Sequence, residues 1–259
     1  MSRSGAGSAD SPTLAGSERR GRGAGRTTIT ATTETPTPER IRSALRRTPA
    51  WLYAAIGGAA TVAMAVVVTQ PWVVPTDLVR DGQVVAAARG AASPAFGLVS
   101  NLGIVVTVLA AGAAITALAL LPRGADARRL LAWCLGLSLV VALDDLLLLH
   151  ETAAFGPGSG TVLAALYAAA FLAFTIRFRD IVVDRLDPAL LVLMFAGLGT
   201  SAIVDVLVEP ATRASVLVED GAKLLGLLAW SAFVARAAIL TLRAERLRER
   251  NRDRDRDRR

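Results

Sequence analysis

The chain has one cysteine, one histidine and one lysine among its 259 residues, and aromatic side chains make up only 5% of it. A single thiol, Cys134, closes no intrachain disulfide. A single imidazole, His150, excludes any zinc site, haem site or relay that draws two histidines from one chain. Large apolar residues are scarce in residues 1–50, which are rich in Gly, Ser, Thr, Pro and Arg. Such a segment cannot offset the entropy of ordering its backbone, so it reads as a disordered basic tail. It is too long and polar for the start of a signal peptide, and no small-x-small cleavage site is evident after it.

What is present is apolar and basic at once: 53% hydrophobic residues with mean hydropathy +0.47, yet 29 basic and 22 acidic side chains. Segregation resolves the conflict, because nine Arg fall in 1–50 and nine in 242–259, leaving eleven basic residues between. A helix needs roughly 20 mainly apolar residues to cross roughly 30 Å of hydrocarbon. Six stretches meet that length, at about 51–70, 96–121, 129–150, 161–177, 188–208 and 217–241. Pro71, Pro122, Pro157, Pro188 and Pro210 fall at or between their ends, where a missing N–H does least damage. The expected fold is all-α: a polytopic bundle of six transmembrane helices over 51–241, between a cytoplasmic tail at 1–50 and a charged one at 242–259.

Basic residues are retained on the cytoplasmic side of a membrane. One alternate set of connections, counted with both tails, holds 24 Arg and the other holds three, Arg80, Arg89 and Arg213. Both termini are therefore expected in the cytoplasm, with the protein in the cell membrane. The run from Arg250 to Arg259 alternates charge sign and reads as a solvated tail near anionic headgroups. Nucleic-acid binding is not expected of it. Segment 77–93 reads as a short interfacial helix, and Arg236 as a side chain that snorkels to the headgroups.

Charges inside the spans carry the functional signal. The third span ends Asp144-Asp145-Leu-Leu-Leu-Leu-His150-Glu151, the fifth ends Asp205-Val-Leu-Val-Glu209, and the sixth begins Val218-Glu219-Asp220-Gly-Ala-Lys223. In the topology above all three meet in the outer third of the bilayer. At 100° per residue Asp144 and Glu151 share a face, while His150 lies roughly 120° around. Lys223 stands four residues after Glu219 and three after Asp220, the spacing that pairs charges along a helix. Seven acids facing one lysine cannot all ionise in a low dielectric. Either they share protons as a coupled set or a bound cation compensates them. Carboxylates with one imidazole suit a divalent ion such as Zn²⁺, Mn²⁺, Fe²⁺ or Ca²⁺. Asp144, Asp145, His150, Asp205 and Asp220 are the candidate ligands. Glu151 or Glu219 is the candidate general base, and Lys223 would stabilise developing negative charge. Asp144, Asp205 and Asp220 are expected to approach one another inside the bundle. Gly57-Gly58 and Ala196-Gly197-Leu-Gly199 place small residues where helices pack closely.

The stretch Leu143-Asp-Asp-Leu-Leu-Leu-Leu-His-Glu151, with Glu219-Asp-Gly-Ala-Lys-Leu-Leu-Gly226 and Trp230, resembles a pattern in uncharacterised bacterial multi-pass membrane proteins. That resemblance implies no known activity. The chain is also similar to the alkaline ceramidase and adiponectin-receptor superfamily in having Ser and Asp near helix ends. Its six helices and one histidine depart from that superfamily's seven helices and three-histidine zinc site. Three functions fit the residues: a metal-dependent hydrolase or transferase acting on a lipid or small amphiphile, a cation- or proton-coupled transporter, and a non-catalytic accessory or sensor protein.

Overall fold

In a computed structural model, residues 37–123, 125, 127–149, 159–208 and 212–258 are described. Three of the helices open on a proline at the first turn, where the absent N–H is no loss and φ is already helical. They are α1 (Pro38–Leu45), α3 (Pro75–Val79) and α9 (Pro188–Leu207). The others are α2 (Ala50–Thr69), α4 (Gly82–Arg89), α5 (Leu98–Leu120), α6 (Ala127–Leu147), α7 (Ser159–Arg177), α8 (Arg179–Arg185) and α10 (Arg213–Asp257). Among the described residues six helices, α2, α5, α6, α7, α9 and α10, are long and apolar enough to cross a membrane. The protein is a multi-pass helical membrane bundle.

Several boundaries differ from the hydropathy reading. Residues 38–45, inside the segment read as a structureless tail, form α1, and α10 runs on through the charged stretch to Asp257. At 1.5 Å per residue α10 is about 67 Å long, more than twice the hydrocarbon thickness. Segment 77–93 is split between two short helices rather than one, with extended backbone at Arg80 separating α3 from α4. The third span stops at Leu147, three residues early. Leu148 takes a left-handed φ of 53° there, and the Leu149 N–H turns back to the Asp144 carbonyl.

One end of the bundle holds α1, α8 and the start of α9. Arg40 Nη2 donates to both carboxylate oxygens of Asp184 at 2.7 Å, and Arg47 donates to the Val183 carbonyl at 3.2 Å. Asp187, only 1% exposed, accepts from Thr48 Oγ1 at 2.9 Å and pairs with Arg236 Nε at 2.6 Å. Arg236 therefore does not snorkel to the headgroups; a buried carboxylate holds it and ties α10 to the start of α9. Above this tie sits an aromatic layer. Trp230 stacks on Phe233 at 5.7 Å and meets Phe171 edge-on at 4.9 Å, and its indole N–H donates to Ser138 Oγ at 2.9 Å. Each such ring pair is worth roughly 0.5–1.5 kcal/mol beyond area burial.

Small residues bring α9 and α10 together. A Cβ on Gly197 would lie 2.6 Å from Gly226 N and 2.7 Å from the Ala222 carbonyl oxygen, so the two backbones are in direct contact. Gly57 and Gly58 do not share that role, since a Cβ on either meets nothing within 4 Å. At the opposite end, Gly97 adopts φ +67°, and Gly82 N occupies the place where a Cβ would be. That contact, with the Gly97 N–H donating to the Asp77 carbonyl at 3.0 Å, presses the α3–α4 segment onto the start of α5.

Candidate functional site

Three carboxylate-bearing stretches converge at the end covered by α3 and α4. Asp144 and Asp145 lie in the last turn of α6, each 5% exposed, although acids of this length are costly to bury. Lys223, on the third turn of α10, reaches across the interface and pairs with Asp145 Oδ1 at 2.9 Å. The spacing along α10 places Glu219 and Asp220 beside the lysine; the 2.9 Å ion pair to Asp145 adds a carboxylate from another helix, which that spacing does not reveal. An ammonium on a long flexible stem bridges two packed helices at least as readily as it folds back along its own.

Beside this pair lies a cavity of about 290 Å³ between α6, α7, α9 and α10. Asp144, Asp145, Asp205, Glu219, Lys223 and Tyr167 line its polar end. Phe171, Met194 and Leu227 form its apolar floor against the aromatic layer. The walls differ in exposure. Asp144, Asp145 and Leu227 are buried, whereas Ala164 and Ala168 on α7 and Ala202, Asp205 and Val206 on α9 are exposed. The mouth therefore lies between α7 and α9, on the flank that a bilayer would cover. Tyr167 of α7 and Asp144 of α6 line this polar end from different helices.

Asp220 takes the other side of Lys223. With Ser100, Asp145 and Lys223 it borders a void of about 10 Å³, room for about one water molecule. The expected approach of Asp144, Asp205 and Asp220 is thus divided: the first two face the lateral cavity, Asp205 at its mouth, and the third lies behind the lysine. Among the described residues no three His, Cys, Asp or Glu side chains group closely enough to hold a metal ion. His150, Glu151 and Glu209 lie outside the described residues.

Two members of the site escaped the reading of the sequence. Tyr167 is a lone phenol in an otherwise apolar span, and its only signal was that few polar atoms exist at that depth. Asp81 lies in a segment read as interfacial, yet it is 8% exposed and accepts a short hydrogen bond from Ser100 Oγ. Its neighbour Asp77 is held by Arg89 at 2.9 Å, and that carboxylate raises the pKa of the guanidinium further above its usual value.

A family model described as a domain of unknown function (DUF8692) matches residues 46–237. The chain belongs to that family. No curated protein and no solved structure matches it. The DUF8692 segment runs from just before α2 to Ala237 on α10, so it contains the whole lateral cavity, the Asp145–Lys223 pair and the Asp187–Arg236 tie. The charged extension of α10 beyond it lies outside the matched residues.

Proposed function

We propose that the chain is a cell-membrane protein, with both termini in the cytoplasm, that draws a small amphiphile from the surrounding lipid into the α6–α7–α9–α10 cavity and acts on it as a hydrolase or transferase. The observation that carries this reading is the shape of the cavity's chemistry: an apolar floor, a mouth toward the bilayer flank, and an ion pair with further carboxyls at one end. A volume of about 290 Å³ is at the small end for a ligand pocket, the size of a head group and the first part of a chain. Four carboxyls face one ammonium there, so a head group bearing a positive charge completes the balance in a low dielectric.

Within that reading Asp144 or Glu219 serves as general base and Lys223 stabilises negative charge that develops on the amphiphile's head. A divalent metal, if the reaction uses one, would need His150 or Glu151 beside Asp144 and Asp205. The stack of Trp230, Phe233, Phe171 and Phe174 beneath the cavity counts against a transport route, since a charged solute would have to cross it unsolvated. One observation favours a non-catalytic role, namely that Asp145–Lys223 also ties α6 to α10.

Photolabelling separates these readings. Dodecylamine with a diazirine in its tail, added to the protein in liposomes, is expected to label peptides of α7 and α9. Ala168→Trp, which fills the cavity from an exposed position, is expected to abolish that labelling, and Asp144→Asn to weaken it. Labelling unchanged by Ala168→Trp would end the amphiphile reading and leave the structural one.

A further inference from the structure

Asp145 borders two chambers, not one. Opposite the lateral cavity lies a second chamber of about 320 Å³, lined by Asp81, Gln83, Ser93, Asn101, Asp145 and Leu148 among others. Its outer wall is the 81–96 segment, which belongs to none of the six spans, and Gln83, Ala92 and Pro94 on that wall are exposed. This chamber opens where the chain leaves the membrane, whereas the lateral cavity opens where the chain lies in it. Gln83 Nε2 donates to the Leu146 carbonyl at 3.4 Å and fastens that wall to the end of α6. The polar groups facing the chamber, the carboxylates of Asp81 and Asp145 and the amides of Gln83 and Asn101, offer the acceptors that water needs.

Between the two chambers stands the Asp145–Lys223 pair, with the one-water void and Ser100 beside it. Asp145 faces both chambers and the void, and Lys223 faces the void and the lateral cavity. A hydroxyl passing from one chamber to the other along that line would find hydrogen-bonding partners in Asp145, Ser100, Asp220 and Lys223.

We propose that the α4–α5–α6 chamber is the water-binding antechamber of the site: it supplies water, the second reactant of a hydrolase, to the polar end of the lateral cavity, and the Asp145–Lys223 pair is the partition between them. The inference rests on the lateral cavity being the amphiphile's, but its test uses no amphiphile, so either can fail alone.

Thiol accessibility provides that test. In a Cys134→Ser background, which removes the only native thiol, Ile104→Cys lies on the wall of the second chamber and Ala168→Cys on the lateral cavity. A charged methanethiosulfonate is expected to modify Ile104→Cys from water. It is expected to leave Ala168→Cys unmodified while an apolar maleimide modifies it. Adding Lys223→Met, or Asp145→Asn where the first variant does not fold, is expected to open Ala168→Cys to the charged reagent. The proposal is overturned if Ile104→Cys reacts only with the maleimide. It is equally overturned if Ala168→Cys takes the charged reagent with the pair intact, or stays closed to it in a folded variant without the pair. The measurements made with the pair intact decide the question even where both pair variants fail to fold.

Discussion

Lys223 is the residue on which the site turns, because it is the chain's only lysine and it neutralises a carboxylate that is 5% exposed. Removing one partner of a buried pair leaves the other charged and unsolvated, a loss of about 3–5 kcal/mol in soluble proteins. Lys223→Met is therefore expected to lower stability by about 3 kcal/mol, and Lys223→Met with Asp145→Asn to recover most of it. Denaturant titration in detergent reads both, and a double variant no better than the single would mean that the pair is not the contact that matters. The presence of this cluster was legible in the sequence, since charges at that depth are too costly to be incidental. The lysine's partner on another helix, Asp145, was not. Helical spacing ranks neighbours along one helix, and it had no access to which face of α6 would meet α10. Asp81 stayed hidden for the same reason, as its burial is created by the turn at Arg80 and by Gly97 meeting Gly82.

Among the elements, α9 and α10 depend on contact between their backbones. A methyl at Gly197 would meet Gly226 N at 2.6 Å, whereas one at Gly199, two residues on and beside the cavity, meets nothing within 4 Å. Gly197→Ala is expected to destabilise by about 1–3 kcal/mol through forced separation of the helices. Gly199→Ala should be neutral or slightly stabilising through its better helix propensity. Thermal unfolding of the two variants side by side tests this, and equal effects would contradict the close crossing. The Ala196–Gly199 run was readable as a packing motif, but the same logic failed at Gly57 and Gly58, because a small residue permits close approach without requiring it. At the other end of the bundle, Arg236→Leu would strand Asp187, which is 1% exposed, with Thr48 as its remaining side-chain partner among the described residues. A loss of about 3 kcal/mol is expected, largely restored by adding Asp187→Asn. Arg236 was misread as a snorkelling side chain because its partner lies 49 residues away in the chain.

At the scale of the whole molecule, six spans could be counted from hydropathy alone, because in lipid every backbone group must be satisfied within its own helix and length is then fixed by the bilayer. The cavity could not be foreseen this way, since it is a space left between α6, α7, α9 and α10, a matter of packing and not of composition. The distribution of Arg, 24 against three, predicts that reporter domains fused at either terminus are active only in the cytoplasm. A fusion active outside would invert the orientation and move both chambers to the other face. If the Asp145–Lys223 pair closes the polar end of a lipid-facing cavity, a structure of the protein in lipid nanodiscs will show the two side chains in contact. Chain-like density between α7 and α9, ending at Asp144 and Lys223, is expected with them. A bundle in which α7 packs flush against α9, or in which Asp145 and Lys223 face separate surfaces, would contradict that arrangement.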